Sequence, residues 1–191
     1  MSAFVKGRLT RDPVEAFSRT NTPVCKATVA VKGKGCKEEY INITAIGRET
    51  ARPLSRMHRD SFVSVKGEPA EVNYPYKGKR FYDMFLNISD LMPGQEGVYE
   101  NSIEVKGYVS RLVGEKPSKE GTLFTFNIGV KKEGGTDYLK INAFDELAEW
   151  AKYLRKGIWV TVIGRLHSYW YKTELGKTVY GLEIRAEDII I

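Results

Sequence analysis

Over most of this chain, hydrophobic and polar residues alternate with a period of two. Residues 102–108 alternate around Ile103 and Val105 before a break at Gly114. Residues 123–130 put Phe124, Phe126, Ile128 and Val130 on one face, with small or polar residues between them. Residues 138–144 do the same with Leu139, Ile141 and Ala143. A period of two marks a strand with one face in a core. The period then changes. Over 145–155, Leu147, Ala148, Ala151 and Leu154 fall at helical spacing, and Lys156-Gly157 supplies a basic last turn and a stop. Alternation resumes over 159–171 and 178–184, joined through a turn at Gly176, and residues 189–191 close the segment.

The same order occurs twice. Val5-Lys6-Gly7 recurs as Val105-Lys106-Gly107. Glu39-Tyr40-Ile41-Asn42-Ile43-Thr44-Ala45 recurs as Asp137-Tyr138-Leu139-Lys140-Ile141-Asn142-Ala143, and Phe62-Val63-Ser64-Val65-Lys66-Gly67 as Trp159-Val160-Thr161-Val162-Ile163-Gly164. Further matches at Gly78-Lys79 and Asp90-Leu91 keep the offset between 97 and 100. Ordered matches at a constant offset mean a tandem duplication. The first copy has a poorer helix, because Pro53 falls inside 48–59. An interior proline costs about 3 kcal/mol, so a short or broken helix is expected there. Three strands, a helix and two strands suit a small five-stranded Greek-key barrel of the OB type. The expected architecture is therefore all-β with short helices: two tandem OB-fold barrels at 1–92 and 100–191. A linker at 93–99 joins them, containing Pro93, Gly94 and Gly97.

Composition agrees with this picture and narrows it. With 191 residues, 42% apolar and 28% charged, the chain is an ordinary globular protein rather than a fibrous or disordered one. Apolar runs such as 158–160 and 189–191 are far too short to span a bilayer, and no basic-then-apolar leader opens the chain. The expected compartment is the cytoplasm, without membrane contact. Cys25 and Cys36 read there as free thiols. They and the isolated His58 and His167 offer zinc too few ligands, so no metal or other cofactor is expected. The net charge of +6 favours an anionic partner such as nucleic acid. The excess is uneven, with 16 basic and 11 acidic residues over 1–97 against 14 and 13 over 98–191.

OB folds bind single strands by tracking phosphates with Lys and Arg and stacking bases on rings. Aromatic residues off the core face are therefore the candidates. Alternation puts Tyr138, Lys140, Asn142 and Phe144 opposite Leu139, Ile141 and Ala143, and groups His167, Tyr169 and Tyr171 against Leu166, Ser168 and Trp170. In the first copy it puts Tyr40, Asn42 and Thr44 outside, followed by Val72, Tyr74 and Tyr76 along the later hairpin. Trp150, on the helix, and Trp159, on a core-alternating strand, read as structural. Candidate phosphate contacts are Lys6, Arg8, Arg11, Lys32, Lys34, Lys106, Arg111, Lys131, Lys132 and Arg165, which cluster at the ends of the early strands. Nothing points to an enzyme: there is no P-loop, G-x-G-x-x-G, G-x-S-x-G or H-E-x-x-H. Adjacent acidic pairs such as Glu187-Asp188 point to opposite faces of a strand and cannot form a dyad.

Gly7-Arg8-Leu9-Thr10-Arg11-Asp12-Pro13 resembles the N-terminal signature of bacterial single-stranded DNA-binding proteins (SSBs). Tyr138-Leu139-Lys140-Ile141-Asn142-Ala143-Phe144, Ala151-Lys152-Tyr153-Leu154-Arg155-Lys156-Gly157 and Val160-Thr161-Val162-Ile163-Gly164-Arg165-Leu166 are similar to the central block of that family. The resemblance covers nearly the whole chain and implies sequence-independent single-stranded DNA binding in replication, repair or recombination. It also implies a homodimer that presents four OB folds. Its base-stacking positions match Tyr40, Ile46 and Tyr74 in the first domain and Tyr138, Phe144 and Tyr171 in the second. Ile46 is a departure, so the first domain is expected to stack fewer bases and to rely more on its charge. The acidic partner-recruiting tail usual in the family is not present after Ile191. The alternative is an OB-fold assembly factor of the primosomal kind, binding mainly other proteins.

Overall fold

The repeated sequence order becomes a repeated strand order in the computed structural model of the chain, which describes residues 1–32 and 37–191. Lys34 and Cys36 lie outside the described residues. The first repeat contributes β1 (Ser2–Leu9), β2 (Val14–Phe17), β3 (Pro23–Lys32), β4 (Glu38–Ile46), α1 (Arg48–Ser55), β5 (Phe62–Tyr76) and β6 (Lys79–Pro93). The second contributes β7 (Glu100–Ser118), β8 (Gly121–Lys132), β9 (Gly135–Phe144), α2 (Asp145–Ala151), β10 (Trp159–Lys172) and β11 (Thr178–Ile190).

Each repeat closes a five-stranded ring. In the first, β1 pairs with both β5 and β3, β3 with β4, β4 with β6, and β6 with β5; β2 adds to β3. In the second, β7 pairs with both β10 and β8, β8 with β9, β9 with β11, and β11 neighbours β10. β4–β6 and β9–β11 pair in parallel, and the other pairs in each ring for which a register is given run antiparallel. Closure removes the unpaired edges that an open sheet would expose. The alternating apolar positions fill the interiors: Val5, Leu9, Val29, Ile41, Ile43 and Leu86 in one, and Ile103, Phe126, Ile128, Ile141 and Leu166 in the other, all essentially fully buried.

The recurring Val-Lys-Gly has a steric reason. Gly107 and Gly164 sit where one strand crosses its neighbour, and a Cβ there would lie 2.4 Å from the Gly129 carbonyl oxygen and 2.2 Å from that of Arg185. Gly7 and Gly67 occupy the corresponding crossings of the first repeat.

The described residues form two compact units. One comprises Ser102–His167 and Glu183–Ile191, with Met1; the other comprises Ser2–Asn101 and Ser168–Leu182, so the tip of the β10–β11 hairpin belongs with the first barrel.

Several elements differ from their sequence patterns. β7 runs through Gly114, because bulges between Val109 and Arg111 and between Leu112 and Gly114 absorb the break. β11 is continuous to Ile190. α2 stops at Ala151, and the expected last turn survives as tighter i to i+3 bonds from Tyr153 and Leu154 that keep Leu154 buried. α1, expected to be the poorer helix, has 8 residues against 7 in α2. Pro53 removes one bond from so short a helix, while Ala51 and Leu54 still anchor it in the core. Trp159 is not a core residue. Val160 and Val162 take the inner face of β10, which leaves Trp159 57% exposed. Cys25 is a buried free thiol whose pKa burial pushes up to about 11. No helix of the described residues is long and apolar enough to cross a membrane.

Candidate nucleic-acid interface

The outer face of β7, β8 and β9 is organised in cross-strand rows. Tyr108, Gly129 and Tyr138 are in register, and so are Arg111, Asn127 and Lys140. The first row is aromatic and the second cationic. Tyr138 is 63% exposed, and its hydroxyl is hydrogen-bonded with that of Tyr108, which raises the Tyr138 pKa. Arg111 and Lys140 are exposed and form no ion pair among the described residues.

Further along the same face, Thr125, Asn142 and Arg185 align. Asn142 is 2% exposed and fully engaged. Thr125 Oγ1 donates to its Oδ1 at 2.9 Å, and its Nδ2 donates to Glu183 Oε2 at 2.7 Å. Arg185 Nε donates to Glu183 Oε1 at 3.1 Å, and its Nη1 pairs with Glu120. This network holds the Arg185 guanidinium 4.9 Å from the centre of the Phe144 ring. Phe144 also lines an open depression with Asp145, Glu146, Trp150 and Glu187. Phe144 is thus a ring with a fixed cation on one side and carboxylates nearby.

The first barrel places Arg8, Ala30 and Tyr40 in the row that corresponds to Tyr108, Gly129 and Tyr138. The row is engaged within itself. Arg8 is hydrogen-bonded to Asp60, which raises its pKa, and lies 3.8 Å from Glu38. The Tyr40 hydroxyl donates to the same Glu38 at 2.7 Å, which raises the Tyr40 pKa. Ile46, at the position of Phe144, is 50% exposed and offers no ring. Lys6 pairs with Glu100 at 2.6 Å, Lys32 lies 4.8 Å from the Tyr99 ring centre, and Arg11 is exposed with no ion pair among the described residues.

Tyr169 and Tyr171 belong to the hairpin tip, at 38% and 49% exposure. The tip bonds to the start of β4: the Tyr40 amide donates to Ser168 Oγ at 3.2 Å. It also brings Lys177 Nζ to 3.8 Å from the Tyr74 ring centre and 4.6 Å from that of Tyr76. Tyr74 further stacks on Phe81 at 6.3 Å, and its hydroxyl is buried without a hydrogen-bond partner among the described residues. A base reaching Tyr74 or Tyr76 would compete with Lys177 for the ring face. The expected second-repeat set is therefore split, with Tyr138 and Phe144 in one compact unit and Tyr171 in the other.

Of the remaining expected cations, Lys131 has no ion pair among the described residues. Lys106 meets Glu104 at 3.0 Å, Lys132 meets Asp137 at 2.7 Å, and Arg165 meets Glu187 at 3.6 Å, while His167 is half-buried. Exposed pairs like these are worth about 0–1 kcal/mol, so a phosphate can replace the carboxylate. The sequence reading missed Tyr108, Lys140, Arg185 and Lys177 as candidates. Tyr108 had a signal, since Val105 and Gly107 alternate inward beside it; Arg185 and Lys177 had none, because their partners come from other strands. No cluster of His, Cys, Asp or Glu among the described residues could hold a metal ion.

A sequence model of the Single-strand binding protein family matches residues 100–191. No curated protein matches the chain. Among solved structures, the wild-type single-stranded DNA binding protein from Thermus aquaticus is similar, with a TM-score of 0.78 at 19% identity over 99% of this chain and 91% of that one. A deletion mutant of the same protein gives 0.78 at 20% identity over 99% and 92%. At that identity the likeness establishes the fold along the chain.

Proposed function

We propose, from the premise that residues 100–191 belong to the single-strand binding protein family, that the whole chain binds single-stranded DNA without regard to sequence. The observation that carries this reading is the aromatic row Tyr108–Gly129–Tyr138 lying beside the cationic row Arg111–Asn127–Lys140. A single strand is a line of charge with flat rings at its side, and adjacent aromatic and cationic rows match both. Every base has a π-face, so stacking accepts any sequence; each stacked base contributes roughly 1–3 kcal/mol, a general figure for OB folds of this kind. Phosphates add a salt-dependent term through displaced counterions.

The two repeats act as an N-terminal domain of 1–92 and a C-terminal domain of 100–191, and two copies pair to present four barrels. Tyr138, Phe144 and Tyr171 carry the stacking, with Tyr40 contributing from the first repeat. The role is to hold and protect single strands in the cytoplasm during replication, repair or recombination. A second reading, an assembly factor that binds other proteins, is favoured by the engaged state of the first barrel: Arg8 ion-paired, Ile46 ringless and Tyr74 covered by Lys177.

Anisotropy titration of labelled oligo-dT with equal-length duplex as competitor separates the two. Nanomolar binding that duplex cannot displace is expected, with Phe144→Ala and Tyr171→Ala each weakening it by roughly 1–3 kcal/mol. Weak binding that salt abolishes and duplex matches would reject single-strand binding in favour of the protein-partner role.

A further inference from the structure

We infer that the bound strand continues beyond Tyr138, across Tyr108 to Trp159, and that Trp159 is a base-stacking residue; this rests on the single-strand reading above. Trp159 opens β10 directly opposite Tyr108, and Tyr108 is opposite Gly129, which is opposite Tyr138. Directly paired residues of a sheet share a face. The row therefore runs Trp159–Tyr108–Gly129–Tyr138 over four adjacent strands, a span of about 15 Å at the usual strand spacing.

Gly129 makes the row continuous. A Cβ there would fall 2.5 Å from Cζ of Tyr108 and 2.8 Å from its hydroxyl oxygen, so the Tyr108 ring lies across the glycine toward Tyr138. Trp159, at the other end, keeps 57% of its surface exposed. An exposed indole in one cross-strand row with two tyrosines is an apolar, π-rich strip.

The charge beside the strip fits a polyanion. Arg111 and Lys140 flank it on one side without ion pairs among the described residues, and Lys131 lies two residues along β8 from Gly129 on the same face. The first repeat lacks the strip. Its corresponding row is Phe62–Arg8–Ala30–Tyr40, in which Phe62 is half-buried against Tyr99 with ring centres 5.8 Å apart and Arg8 is held by carboxylates. The extension thus belongs to the second barrel.

The test uses the full chain with Trp150→Phe and Trp170→Phe, so that Trp159 is the one remaining tryptophan, titrated with oligo-dT while anisotropy of the labelled oligonucleotide is followed in parallel. Binding is expected to quench Trp159 emission with the same midpoint as the anisotropy. Trp159→Ala in the natural chain should weaken binding roughly five- to 150-fold, and Trp159→Phe should retain most of it. Gly129→Ala, which pushes the Tyr108 ring off the strip, should weaken binding several-fold. Tight binding with unchanged Trp159 emission and an unaffected Trp159→Ala overturns the inference alone. Emission that changes with protein dilution but not with DNA overturns it too, because a second copy then covers the strip. Absence of oligo-dT binding by the natural chain overturns the single-strand reading and this inference with it.

Discussion

Gly164→Ala should destabilise the second barrel severely. Its Cβ would sit 2.2 Å from the Arg185 carbonyl oxygen and 3.0 Å from the carbonyl carbon. Ordinary carbon–oxygen contacts between strands are about 3.3–3.6 Å, so β10 and β11 must part by about 1 Å. The obstacle is backbone, so no rotamer change relieves it. Ile184 and Arg185 pair with Ile141 and Asn142 on β9, and parting the strands strains that junction while lifting the buried Ile184 and Leu182. Overpacking of a tight interior costs about 1–3 kcal/mol, and one or two weakened backbone hydrogen bonds add about 1 kcal/mol each. The expected loss is about 3–4 kcal/mol. For a barrel of this size each kcal/mol shifts Tm by about 4–8 °C, so a fall of at least about 12 °C should appear in far-UV circular dichroism. Gly135→Ala is the control: nothing lies within 4 Å of its Cβ, so its Tm should hold within a few degrees. A Gly164→Ala protein that melts within about 3 °C of the natural chain would refute the reasoning that close backbone crossing explains the repeated glycine.

Four further outcomes follow from the site and the core. Ile46→Phe restores a ring at the position of Phe144 and should strengthen oligo-dT binding by roughly 1 kcal/mol or more, measured by anisotropy. Asp60→Asn releases Arg8 from its principal carboxylate, so the log–log salt dependence of oligo-dT binding should steepen by about 0.7 if the freed guanidinium takes a phosphate. Cys25, in a chain carrying Cys36→Ser, should resist alkylation at pH 8 until the protein unfolds, because burial holds its pKa at about 11. Since the folded thiol keeps its proton more firmly than the unfolded one, its effect on stability is constant below the ordinary thiol range. Stability should then fall as pH rises toward about 11, as denaturant titrations across that window would show.

The strands, their faces and the duplication were legible in the chain. Alternation at Leu139, Ile141 and Ala143 assigned Tyr138 and Phe144 to the outside, and both are there. Trp159, expected to be structural on a core-alternating strand, obeys the same rule from the other side: Val160 and Val162 are inward, so it faces out. The helix around Pro53 is short, as its proline implies, ending at Ser55, but it is no poorer than α2, because Ala51 and Leu54 pin it in the core.

What the sequence determined by itself is therefore local: period, face and the glycines of the repeat, all set by the geometry of a single strand. The tertiary structure decided which of those outward groups stay available. Lys177 lies on Tyr74, Arg185 on Phe144, and Asp60 and Glu38 on Arg8, whereas Tyr138 and Trp159 stay exposed, Tyr138 beside cations with no ion pair among the described residues. The reason is physical. Period two says which face a side chain takes, but its neighbours on that face come from strands far away in sequence. Their identity depends on register, which exists only once the barrel has closed.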